Sequence, residues 1–104
     1  MSDPQKTLTA SEISEAIPAG WQHEGEQITA RFATGDFGTG LALVDRIGAS
    51  AEEANHHPDL TLTYSEVTVA LSSHDVGGIT SRDIELARAI TEHAAALGVS
   101  PGEG

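Results

Sequence analysis

Apolar positions along the chain change their spacing several times, and each change marks an element. Leu8 and Ile13 bracket Thr9-Ala10-Ser11-Glu12, a capping box with hydrophobic-staple spacing. This predicts a short helix over 10–16, ended by Pro18 and Gly20. Trp21 to Glu24 and Gln27 to Ala33 read as strands joined through Glu24-Gly25-Glu26. In the second strand Ile28, Ala30 and Phe32 alternate with Gln27, Thr29 and Arg31, the period of a half-buried strand. Beyond Asp36, a candidate cap, the spacing lengthens. Phe37, Leu41, Val44, Gly48, Ala51 and Asn55 fall three and four apart and predict a helix over 37–55 with that stripe turned inward. Gly38, Gly40 and Gly48 each weaken this helix by up to ~1 kcal/mol relative to alanine, which suits close packing. Gly38-Thr39-Gly40 lacks the lysine and the remaining spacing of a phosphate loop.

Pro58 disfavours helical geometry at His57, so the chain is expected to turn there into a strand. Leu60, Leu62 and Tyr64 alternate with Thr61 and Thr63. Val67, Val69 and Leu71 alternate with Thr68, Ala70 and Ser72. A turn at Ser65-Glu66 would pair Tyr64 with Val67, Leu62 with Val69 and Leu60 with Leu71, and extending that register sets His57 opposite His74. Gly77-Gly78 reads as a loop. Thr80-Ser81-Arg82-Asp83 is a second capping box, and Ile79 and Ile84 form a second staple. The third helix then runs to about Leu97, with Gly98 as its stop and Pro101 beyond. The order α-β-β-α-β-β-α predicts an α+β fold of two layers. A four-stranded antiparallel sheet would carry three helices on one face, as a single domain over 1–104 with loose tails at 1–7 and 99–104.

Composition narrows the function. Sixteen acids against five bases give a net charge of -11, which repels phosphate backbones and anionic lipid. Direct nucleic-acid binding is therefore not expected. Arg31, Arg46, Arg82 and Arg88 read as surface ion-pair partners. The chain has no cysteine, no apolar run long enough to span a membrane and no apolar leader at Met1–Lys6, which points to a cytoplasmic protein.

The candidate chemistry lies in histidines. The chain has five, and the predicted hairpin gathers His56, His57 and His74 at one end of the sheet. Imidazole exchanges protons near neutrality, so the group suits acid–base work on a small neutral or weakly charged molecule. Capping or surface histidines, or a zinc site, are the alternatives. Neighbours on an extended strand face opposite ways, which disfavours His56 and His57 as ligands of one metal. Ser72 and Ser73 carry no mark of an activated nucleophile. His23 and His93 have no evident company and read as exposed. Asp83 is explained by capping, Asp75 by the turn or by orienting a histidine, and Tyr64 by the core.

Glu52-Glu53-Ala54-Asn55-His56-His57-Pro58, followed by Tyr64, His74 and Asp83, resembles the pterin-4a-carbinolamine dehydratase family. Ser73-His74-Asp75, Gly77-Gly78-Ile79-Thr80 and Asp83-Ile84-Glu85-Leu86-Ala87 are also similar to it, and the likeness spans roughly Trp21 to Leu97. Leu60 departs from it, standing where many members have tryptophan. Ala33-Thr34 replaces part of an aromatic-rich strand, and Leu41 and Leu43 occupy positions often held by phenylalanine. The resemblance implies elimination of water from a 4a-hydroxy-tetrahydropterin to give the quinonoid dihydropterin, with no metal or redox cofactor. It implies catalysis by His56, His57 and His74, with His56 and His74 as acids. It implies substrate contacts by His57, Glu52, Asp75 and Asp83, and a homodimer or homotetramer. A non-enzymatic binding or assembly role on the same fold is the runner-up.

Overall fold

The structure is a computed structural model that describes residues 6–99. The elements are α1 (Ala10–Ala16), β1 (Gln22–Glu24), β2 (Gln27–Ala33), α2 (Phe37–Ala54), β3 (Asp59–Leu62), β4 (Glu66–Leu71) and α3 (Ser81–Ala96). The expected α+β order and the four-stranded antiparallel sheet are both present, with strand order β1-β2-β4-β3. Residues 1–5, most of the expected N-terminal tail, and Pro101 lie outside the described residues. Val99 does not trail off as expected. It is buried, and its N–H reaches the Ala94 carbonyl past a left-handed Gly98.

Both capping boxes form. The Thr9 hydroxyl accepts from the Glu12 N–H, and the Glu12 carboxylate accepts from the Thr9 N–H. Asp36 caps α2 by accepting from the Thr39 N–H at 2.7 Å. These backbone donors hold the Glu12 and Asp36 carboxyls below the usual carboxylate range.

Alternation along β2 and β4 places Ile28, Ala30, Phe32, Val67, Val69 and Leu71 in the core. Ile47 and Leu43 of α2, and Leu86, Ala87 and Ile90 of α3, pack into the same core. Trp21 lies just ahead of β1 rather than in it. It packs edge-on against Phe32 with centroids 6.3 Å apart and donates its indole N–H to the Thr91 hydroxyl at 2.9 Å.

Two further expectations fail. The buried stripe of α2 is Gly40, Leu43, Ile47 and Ala51, and Phe37 and Leu41 are about half exposed. This helix carries two apolar stripes about one residue apart, and periodicity alone does not choose between them. Leu43 and Ile47 belong to the one that meets the sheet. The β3–β4 hairpin also differs. Leu60 pairs with Val69 and Leu62 with Val67, and the Thr63 N–H reaches the Glu66 carbonyl at 3.0 Å. The turn is therefore Tyr64-Ser65, and Tyr64 is 72% exposed rather than core. A shift of two residues keeps every side chain on its own face, so the alternation that fixes the faces does not fix this register.

Gly40 and Gly48 separate two uses of glycine in one helix. A Cβ at Gly40 would lie 2.7 Å from Leu62 Cδ1 and 3.3 Å from Thr34 Oγ1, whereas one at Gly48 meets nothing within 4 Å. Gly48→Ala is expected to raise stability by up to ~1 kcal/mol in urea unfolding. Gly40→Ala should fall short of that gain because Leu62 must move. Equal gains from both would contradict this packing.

Candidate active site

The corner between α2 and β3 aims the histidines. Asn55 adopts the left-handed conformation (φ 51°), which asparagine tolerates better than most residues. The His56 N–H then reaches back to the Ala51 carbonyl at 3.1 Å, closing the helix end. From this corner His56 turns inward and His57 outward. The His56 side chain is 10% exposed, and that of His57 is 55% exposed.

His56 Nε2 lies 2.6 Å from Asp83 Oδ1, and the Asp83 side chain is fully buried. Its other oxygen, Oδ2, accepts the Ser73 hydroxyl at 2.8 Å and the Thr80 N–H at 2.9 Å. A carboxylate offers only acceptors, so His56 donates from Nε2. Among the described residues Nδ1 has no protein partner and no unpartnered side-chain nitrogen or oxygen is buried, so Nδ1 is not enclosed by them. His56 lines an open cleft of about 450 Å³ with Ser50, Glu53, Arg82, Glu85 and Leu86. A ring held at one nitrogen and open at the other can take a proton from a bound molecule or give one to it.

His57 bonds through Nε2 to Glu52, one helical turn back, and both side chains are exposed. Glu52, for which the resemblance implies a substrate contact, is here the partner of His57. His74 occupies a tight turn closed by Ser73 and Gly78, is exposed, and lies 3.2 Å through Nε2 from the Ser72 hydroxyl. The observed register, extended, sets Ser72 rather than His74 across from His57. His74 lines a second cleft of about 340 Å³ with Ser72, Gly77 and Gly78. The three histidines thus share one end of the sheet but have three separate partners.

Asp83 combines the capping role with a bond to His56. It is fully buried, and Oδ1 is taken up by His56, so the structure does not present Asp83 at the surface for the direct substrate contact that the resemblance implies. Asp75 accepts from Arg82 Nη2 at 2.8 Å. That hydrogen bond holds the Asp75 carboxyl below the usual carboxylate range, with smaller help from the charges of Arg82 and His56. His93, expected to be alone, lies 2.6 Å from the Ser50 hydroxyl and ties α3 to α2. Among the described residues no group of three or more histidines, aspartates or glutamates is placed to hold a metal ion. No helix there is long and apolar enough to cross a membrane.

Nucleophilicity alone does not single out Ser73. The signal was its parity. It continues the inward series Val67, Val69 and Leu71, and a polar side chain at a core position needs a partner there.

The fold is that of a small α+β protein with a histidine clamped by a buried aspartate at one end of its sheet. The family model for pterin 4 alpha carbinolamine dehydratase matches residues 6–93, and the chain belongs to that family. It is 45% identical over 94 residues to a Nocardia farcinica protein provisionally named pterin-4-alpha-carbinolamine dehydratase, covering 90% of this chain and 94% of that one. A Halobacterium salinarum protein of the same provisional name is 43% identical over 76 residues, covering 73% of this chain and 84% of that one. Among solved structures, a transcriptional coactivator/pterin dehydratase from Brucella melitensis superposes with a TM-score of 0.81 at 35% identity, covering 86% of this chain and 99% of that one. A pterin dehydratase-like protein identified as a RuBisCO assembly factor in the alpha-carboxysome superposes with a TM-score of 0.50 at 25% identity, covering 81% and 89%.

The Arg82–Asp75 pair gives a pH prediction. A carboxyl lowered in the folded state contributes stability that is full above its ordinary pKa and is lost as pH falls through the folded value. In Arg82→Ala the Asp75 carboxyl should titrate back in the usual carboxylate range when followed by carbon NMR. A low value persisting in that variant would show that Arg82 is not the cause.

Proposed function

We propose that the protein dehydrates a 4a-hydroxy-tetrahydropterin by histidine acid–base catalysis. The observation that carries this reading is His56, fixed at Nε2 by buried Asp83, unpartnered at Nδ1 among the described residues, and lining a cleft. Hydroxide is a poor leaving group and water a good one, so the 4a-oxygen needs a proton as its bond to C4a breaks. A ring N–H proton must then leave to give the quinonoid dihydropterin. One proton is supplied and one recovered, so the enzyme ends as it began.

In this reading His56 delivers the proton from Nδ1. His74 is the second acid, and His57, oriented by Glu52, positions the pterin and shares in taking up the ring proton. The family match and the Brucella neighbour support the substrate class. The assembly-factor neighbour favours the runner-up, a non-enzymatic assembly role on the same fold.

A single assay separates the two. The 4a-carbinolamine is generated in situ and its dehydration followed with wild type, His56→Ala and His74→Ala. Wild type should accelerate the reaction, and each variant should lose roughly 10²- to 10⁴-fold in kcat. No acceleration by wild type would sink the enzyme. Unimpaired variants would leave the enzyme but remove these two acids.

A further inference from the structure

The hydrogen bonds behind His56 have a direction that can be deduced from their fixed ends. The Arg82 backbone N–H and Nε–H can only donate, and both point at Thr80 Oγ1, at 3.2 and 3.3 Å. The Thr80 hydroxyl proton must go elsewhere, and the other partner of that oxygen is Ser73 Oγ at 2.9 Å. Ser73 therefore accepts from Thr80 and donates to Asp83 Oδ2 at 2.8 Å. The Thr80 N–H donates to the same oxygen at 2.9 Å. With Oδ2 receiving two protons, Oδ1 is turned to His56 Nε2 at 2.6 Å and accepts there too. Ser73, Thr80 and Asp83 are all fully buried, so water does not substitute for a missing link.

We infer that Ser73 is a positioning residue for the reaction proposed above, acting through Asp83 to hold His56 as the Nε2–H tautomer with Nδ1 as the proton-exchanging atom. It touches no substrate. Its hydroxyl converts the one-way donors of Arg82 and Thr80 into a carboxylate of fixed orientation, and that carboxylate selects the tautomer. With the hydroxyl gone, Oδ2 keeps the Thr80 N–H alone. The carboxylate can then turn, and Oδ1 no longer holds Nε2–H in place. The chain also gives Arg82 a second task. Anchored at Nε by Thr80 and at Nη2 by Asp75, it is both a wall of the His56 cleft and the origin of this chain of protons.

The inference depends on the dehydratase reading for its function, and its test has a readout that does not. The full-length protein is labelled with nitrogen-15, and the ring nitrogens of His56 are assigned with His56→Gln. They are then recorded with the ring neutral in wild type, Ser73→Ala, Ser73→Cys and Ser73→Thr. Wild type and Ser73→Thr, which keeps the hydroxyl, should show Nε2–H alone. Ser73→Ala should show a mixture of tautomers. Ser73→Cys, close to serine in volume with a weak donor, should do the same and serves if the alanine variant does not fold. In turnover, Ser73→Ala or Ser73→Cys should lose about tenfold in kcat, the scale of one hydrogen bond to a charged group, with KM within about twofold. Ser73→Thr should restore most of the rate.

An unchanged Nε2–H tautomer in the folded Ala and Cys variants would overturn the inference whatever the activity. A changed tautomer with kcat intact would overturn its catalytic role. A changed tautomer in a protein whose wild type does not dehydrate the carbinolamine would uphold the positioning by Ser73 and sink the dehydratase reading instead.

Discussion

A carboxylate without water must find its donors within the protein, and Asp83 is such a group. Leaving an ionised side chain buried and unpaired costs several kcal/mol, so its environment has to be built around it. Three parts of the chain supply the donors. The start of α3 gives the Thr80 N–H, the end of β4 gives the Ser73 hydroxyl, and the corner after α2 gives His56 Nε2. All three segments meet at this one residue. The helix cap, the sheet end and the candidate catalytic ring are consequences of the same requirement.

This requirement explains how much the sequence could reveal. The capping box at Thr80 to Asp83 and the His-His-Pro corner were both legible, because each is a local pattern with a local mechanism. Their joining was not legible, because it spans the long interval between His56 and Asp83 and depends on how α2 and α3 lie together. The hairpin register failed for a related reason. Alternation has a period of two and does not register a shift of two, and Tyr64-Ser65 lacks the Asn-Gly chemistry that would have placed the turn. Pairing the most apolar residues favoured Tyr64 inside, whereas the backbone used Tyr64 to turn. The inward face of α2 is not legible from its spacing because two apolar stripes compete there, and only the sheet selects Leu43 and Ile47.

The fold by itself does not settle the activity. A neighbour at a TM-score of 0.81 is described as both coactivator and dehydratase, and one at 0.50 as an assembly factor. Chemistry belongs to sites carried on a fold, so the case for catalysis rests on residues. Here the relevant residues show a gradient of restraint. His56 is nearly enclosed and held by a buried charge, whereas His57 and His74 are exposed with single polar partners.

That gradient follows from the corner itself. Two adjacent residues in extended backbone point to opposite sides, so one corner cannot bury both imidazoles. The left-handed Asn55 decides which of them enters, by capping α2 just before His56 and letting the His56 N–H return to Ala51. His56 then meets Asp83, and His57 is sent back over the helix end to Glu52. A substrate in contact with both would lie across the corner, with the rigid ring below it and the adaptable ring at its rim. Under the proposed reading, such a division suits a dehydration, in which the departing oxygen demands an accurately placed proton and the pterin ring needs only to be held and relieved of a proton.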